Sequence, residues 1–167
     1  MFHSYIALST SKGFEVLTLD KKQPMSVPDL KQSHVASIAS RLADQNPLGM
    51  FRLSDQEFLL CYNECAVYVN KHGDISRSVI MSFVGKARSA AMYGRYVLLF
   101  DQDFVEIRNA QNGRLRQIIS GKDIKCLDDG LNGSSAGHRT IKICMQHPEQ
   151  DRSQLILELL LNEGQSE

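Results

Sequence analysis

The chain has 167 residues, no net formal charge (19 Lys plus Arg against 19 Asp plus Glu) and 43% hydrophobic side chains. This is the composition of a globular protein, and the balanced charge argues against a nucleic-acid clamp, which concentrates positive field. Met1-Phe-His-Ser-Tyr lacks a basic, then apolar, leader pattern, so no signal peptide is expected; the run Leu155–Leu161, broken by Glu158, is far shorter than the roughly 20 apolar residues that span a bilayer.

In chain order, residues 4–28 predict two strands, Tyr5–Leu8 and Phe14–Leu19. A turn at Ser11-Lys-Gly13 joins them, and Lys21-Lys-Gln-Pro24 punctuates their end. Over residues 33–44 the period changes. Val35, Ile38, Ala39 and Leu42 make one apolar stripe at helical spacing, with Ser33 as N-cap and Asn46-Pro47 as the stop. This inserted helix is expected to cover an edge or an end of the strands.

Residues 50–82 and 88–122 repeat each other. Phe58-Leu-Leu-Cys-Tyr-Asn-Glu-Cys-Ala-Val-Tyr-Val-Asn70 aligns with Tyr96-Val-Leu-Leu-Phe-Asp-Gln-Asp-Phe-Val-Glu-Ile-Arg108, and Gly73 with Gly113. A period near forty with several strands per period is that of a β-propeller blade. Val67 and Val69 alternate with Tyr68 and Asn70, and Val105 and Ile107 alternate with Glu106 and Arg108, which predicts half-buried antiparallel strands. Asn112-Gly113 predicts a type I′ hairpin turn, with positive φ at both central residues. Residues 127–139 read as a flexible loop on their Gly/Ser/Asp content. Residues 140–161 read as a final strand pair, Thr140–Met145 and Gln154–Leu160, the second with a helical alternative because Leu and Glu favour helix. The fold class is therefore all-β: a partial β-propeller of about three to four antiparallel blades, an open arc with one inserted short helix.

Asp101 and Asp103 suggest a cation, but no bidentate Glu follows at calcium-loop spacing, so a polar turn is expected. Asp128-Asp129 with His138 lie in the Gly-rich loop without a fixed partner. Cys61 and Cys65 are four apart, not a zinc Cys-x-x-Cys, and with Cys126 and Cys144 they read as reduced core thiols of a cytosolic protein. Gly130–Gly137 resembles a phosphate loop only in glycine content, without Gly-Lys-Ser/Thr. Arg114, Arg116, Lys122 and Lys125 form a modest basic cluster toward acidic lipid or an acidic partner, with a solvated strand face as the plainer reading. Tyr62, Tyr68, Phe100 and Phe104 are expected to pack blades rather than form a cage. No catalytic, cofactor or metal residues are assigned, and the five histidines (3, 34, 72, 138, 147) fall in termini, turns and loops.

Pro47-Leu-Gly-Met-Phe-Arg-Leu-Ser54, Glu57–Asp74 with its Phe-Leu-Leu-Cys-Tyr and Val-Asn-Lys-His-Gly, and Phe104–Gly113 resemble the citron homology (CNH) domain. The version they resemble stands at the C-terminus of fungal Rho guanine nucleotide exchange factors, and the likeness runs from about Ile6 to Leu161. The resemblance implies a seven-bladed propeller, of which residues 1–167 would be the C-terminal portion. It also implies a non-catalytic regulatory interaction module in small-GTPase signalling, tied to fungal cell-wall and actin regulation. A small GTPase or a regulatory protein is the implied partner. No segment resembles the exchange-catalysing helical domain or the pleckstrin-type domain that precede it in such factors. The alternative is the CNH domain of a vesicle-trafficking or vacuolar tethering factor. The implied location is cytoplasmic, with recruitment to the membrane periphery through partners, and exposed blade edges predict self-association.

Overall fold

The computed structural model describes residues 5–11, 13–18, 23–31, 35–131 and 140–160. Ser33, His138 and most of the Gly130–Gly137 segment lie outside the described residues. Four antiparallel sheets follow one another along the chain. The first holds β1 (Tyr5–Thr10), β2 (Gly13–Thr18) and β3 (Pro24–Val27); the helix α1 (Ala36–Leu42) comes next. The second holds β4 (Pro47–Arg52), β5 (Glu57–Tyr62), β6 (Cys65–Asn70) and β7 (Met81–Ser82). The third holds β8 (Ser89–Tyr93), β9 (Tyr96–Phe100), β10 (Phe104–Asn109) and β11 (Leu115–Ser120). The fourth holds β12 (Lys125–Asp128), β13 (Ile141–Gln146) and β14 (Gln154–Leu159).

Strand order within each sheet is sequence order, so every sheet is an up-and-down blade. β1 meets β4, and β4 meets β8. The leading strands of successive blades thus adjoin, and the trailing strands point outward. Among the described residues this is a propeller arc of four blades with one helix.

Each space between neighbouring blades is filled by its own core. Phe14, Val27, Leu60, Tyr62, Val67 and Val69 pack between the first and second blades, joined by Ile38 and Leu42 of α1. Leu59, Cys61, Ala66, Tyr68, Val97 and Leu99 pack between the second and third. Leu98, Phe100, Val105, Ile141, Ile143 and Met145 pack between the third and fourth. Odd and even residues of β5 therefore enter different cores, and so do those of β9. The central strands of the middle blades, β5, β6, β9 and β10, are largely buried on both faces, which corrects the half-buried expectation, whereas β11 is mostly exposed. Tyr68 lies on the second face as expected, but that face meets another blade rather than water.

Other differences have local causes. β3 begins at Pro24 and β4 at Pro47, where the sequence suggested punctuation. Both prolines are first residues of strands at a sheet edge, where no ladder N–H is required. The helix is shorter than 33–44 and begins after Val35, with no side-chain cap hydrogen bond. β12 takes residues 125–128, so the loop expected from 127 begins later and the final pair is a three-stranded blade. Gln154–Leu159 is strand, paired residue by residue with β13; the cross-strand partners outweigh helix propensity.

The Asn112-Gly113 hairpin is not type I′, since only Gly113 has positive φ (72°). Asn109 builds the connection instead: its Oδ1 accepts from the N–H of Gln111 (2.9 Å) and Asn112 (3.2 Å), and its carbonyl accepts from Gly113 N–H (2.8 Å). Gly73, the repeat partner of Gly113, also has positive φ (89°), so the aligned glycines do the same work in adjacent blades.

Candidate interaction site at the seam between blades two and three

The residues singled out in the sequence do not converge. Asp101 organises a turn, its Oδ2 accepting from Lys86 N–H (2.8 Å) and its Oδ1 from Asp103 N–H (3.2 Å). Asp128 and Asp129 accept from the N–H of Gly130 (2.9 Å) and Leu131 (3.0 Å). Cys61 and Cys65 enter different inter-blade cores. Desolvation raises the pKa of both thiols, and that of Cys126 to about 11, so all three stay protonated near neutral pH. Tyr62, Tyr68 and Phe100 are divided among three cores. Arg114 and Arg116 flank the first residue of β11, Lys122 follows its end and Lys125 opens β12 of the next blade, so the basic residues read from sequence are spread over two blades.

What the structure does bring together is a pair of ion pairs at the outer margin of the seam between the second and third blades. On the second blade, Arg77 donates from Nε (2.8 Å) and Nη2 to the two carboxylate oxygens of Glu57, and from Nη1 to the Gln111 carbonyl of the third blade. Its guanidinium lies 3.9 Å from the Tyr68 ring centroid, a cation–π contact. The Tyr68 hydroxyl donates to the Ala110 carbonyl (2.9 Å), a second bond across the seam.

On the third blade, Glu106 is 1% exposed and accepts from Arg108 Nε and from the Val84 N–H (2.8 Å). Arg108 Nη1 donates to the Gly113 carbonyl (2.8 Å). A pocket of about 310 Å³ opens over these groups, lined by Tyr68, Arg77, Val79, Met81, Arg108 and Gly113 among others. Sequence reading placed Glu106 and Arg108 on a solvated face. The available signal was an acid and a base two apart on the one strand face that the repeat aligns with Tyr68 and Asn70.

The hydrogen bonds from Arg77 hold the Glu57 carboxyl below its ordinary value of 4.5. A carboxyl with a depressed folded-state pKa adds stability above its unfolded pKa and loses it as pH falls through the folded one. Glu57→Gln is therefore expected to lower stability by about 0.5–1 kcal/mol at pH 7. Melting curves at pH 7 and pH 3 check this: the gap between variant and parent should close in acid. A gap that stays constant would show that the ion pair contributes nothing.

No group of three or more His, Cys, Asp or Glu able to hold a metal occurs among the described residues. No helix among them is long and apolar enough to cross a membrane.

The CNH domain family profile matches residues 1–130. Rho1 guanine nucleotide exchange factor 3 of Schizosaccharomyces pombe is 34% identical over 160 residues, covering 95% of this chain and 12% of that protein. A GTPase-activating protein of Dictyostelium discoideum is 27% identical over 103 residues, 61% of this chain and 10% of that protein. Among solved structures, the AfRom2 CNH domain matches with a TM-score of 0.74 at 24% sequence identity, over 96% of this chain and 49% of that one. The chain thus spans a small part of its curated relatives and about half of a solved domain with the same fold. With the family profile covering most of its length and a relative above 30% identity along nearly all of it, the chain belongs to the CNH domain family.

Proposed function

We propose that this chain is a non-catalytic, regulatory protein-interaction module of a Rho guanine nucleotide exchange factor, acting in small-GTPase signalling. We also propose that it forms the C-terminal blades of a longer CNH propeller. The observation that carries the functional reading is the pairing of its relatives. One is named an exchange factor and the other a GTPase-activating protein, and these work at opposite steps of the GTPase cycle. A segment common to both supports a role outside either reaction, in regulating a GTPase system. The build of the chain agrees: its ionisable groups at the seam are engaged in structural ion pairs, and the three thiols discussed above are held protonated. Such a module would work in the cytoplasm and reach the membrane periphery through its partners.

The test is release of a fluorescent guanine nucleotide from a Rho GTPase, with and without micromolar amounts of the purified chain. The release rate is expected to stay at the spontaneous value. Acceleration above it would overturn the non-catalytic reading.

A further inference from the structure

The tyrosine that ends β5 carries a polar group that its packing does not use. Tyr62 is 3% exposed, and its ring packs edge-on against Phe14 with 5.4 Å between centroids. Its hydroxyl has no hydrogen-bond partner among the described residues, unlike that of Tyr68, which donates to the Ala110 carbonyl. No side-chain oxygen among the described residues is both sealed from solvent and unpaired, so the small open part of Tyr62 includes its hydroxyl. Tyr62 lines a cleft of about 920 Å³, and the hydroxyl opens there. Phe100 holds the same place at the end of β9 and is 1% exposed, so the ring alone is enough to pack a blade at that position. A buried donor that packing does not need calls for an acceptor from outside the chain.

The cleft follows a strand edge. Pro24, Met25, Ser26 and Val27, the whole of β3, border it. Successive strand residues face opposite ways, so a cleft that touches all four runs along the edge of the strand rather than over one face. The middle blades carry a fourth strand at this place, β7 or β11. In the first blade β3 pairs with β2 alone among the described residues, and Leu42 and Ala43 at the end of α1 stand on the cleft instead of a strand. Lys31, Lys71 and His72 line it as well. The Asp29 N–H donates to the Gly73 carbonyl (2.8 Å), which brings the segments that carry these three side chains together. Neither Lys31 nor Lys71 has a carboxylate partner among the described residues, and Asp29 is the acid they share the lining with. The positive end is set apart from Tyr62. Lys71 follows Asn70, which pairs with Glu57, five residues along β5 from Tyr62, or about 16 Å at roughly 3.3 Å per residue.

We infer that this cleft takes an extended segment of a partner protein with an acidic residue at one end. The segment adds to the open edge of β3 and completes the first blade as its fourth strand. Lys31 and Lys71 receive its carboxylate, the Tyr62 hydroxyl donates to an oxygen toward the other end, and apolar side chains between them meet Val16, Val27 and Leu42. The strand edge supplies main-chain affinity, the lysines select for acid, and five or six extended residues cover the span. The inference deepens the module reading and rests on it for the existence of a partner.

The test uses the full chain and two fluorescein-labelled eight-residue peptides that alternate Thr with Val, one with Glu at both ends and one with Lys at both ends. Anisotropy reads binding, and amide hydrogen exchange reads the location. Saturable binding of the acidic peptide is expected, with protection gained over 24–27 and no comparable binding of the basic peptide. Tyr62→Phe should melt with the parent and bind the acidic peptide about fivefold more weakly, the loss of one neutral hydrogen bond. Lys71→Glu, at an exposed turn, should weaken it about tenfold and abolish the preference over the basic peptide. No saturable binding, equal binding of the basic peptide, protection confined to other strands, or unchanged binding by both variants would overturn the proposal. Protection of β3 that grows with chain concentration in the absence of peptide would also overturn it, by making a second copy the occupant. If the peptide fails while nucleotide release stays spontaneous, only the cleft proposal falls. If the chain accelerates release, the module reading falls whatever the peptide does.

Discussion

Replacing Arg108 with alanine is expected to destabilise the chain by about 3–5 kcal/mol, the cost of leaving one buried charge without its partner. Glu106 is 1% exposed, and its ionic partner among the described residues is Arg108. Without the guanidinium, the buried carboxylate keeps the hydrogen bond from the Val84 N–H and loses its counter-charge. The variant also loses the bond from Arg108 Nη1 to the Gly113 carbonyl, which steadies the β10–β11 connection. For a chain of this length the loss should lower the melting temperature by roughly ten degrees. The double variant Glu106→Leu with Arg108→Leu removes both charges, and its melting temperature should recover most of the difference, because well-packed apolar residues often replace a buried pair at little cost. Thermal melts of the parent, the single and the double variant decide it. A single variant that melts with the parent would show that the pair is solvated and holds no part of the seam.

The second large effect concerns the end blades. Ile6 and Leu8 are 43% and 47% exposed; Leu17, the cross-strand partner of Ile6, lies on the same outer face of the first blade. On the fourth blade, Ile156 is 66% exposed on β14, the edge strand of its sheet among the described residues. The central strands of the middle blades bury both faces, so these outer faces are equivalent surfaces without a neighbouring blade among the described residues. Apolar sheet faces and open edges promote association. The chain is expected to self-associate at micromolar concentration, and Ile6→Lys with Leu8→Lys should shift it toward monomer. Leu8 pairs with Glu15, so a lysine at position 8 gains a cross-strand partner in the folded chain.

The blade repeat was legible because each blade solves the same packing problem. Tyr62 and Phe100, aligned by spacing, are the last residues of β5 and β9. Gly73 and Gly113 share positive φ after β6 and β10. The short flanking strands β3 and β12 were not legible. Four residues carry little periodicity, and Pro24 and the acidic, Gly-rich sequence after Cys126 both signal turns. Burial of both faces was hidden as well, because alternation shows that a strand has two faces without showing what covers the second. The seam was missed for the same reason. Glu106 and Arg108 looked like solvent positions until a neighbouring blade closed over them, and Arg77, which completes the site, comes from a different blade.

On the reading proposed above, this chain is an arc of blades that functions inside a larger CNH propeller. Multi-angle light scattering on the purified chain at micromolar concentration, alone and mixed with the remaining blades of the domain as a separate polypeptide, tests it most directly. The expected result is a polydisperse or oligomeric chain that becomes a defined one-to-one complex when the other blades are added. A monodisperse monomer that melts cooperatively and ignores the added blades would contradict it.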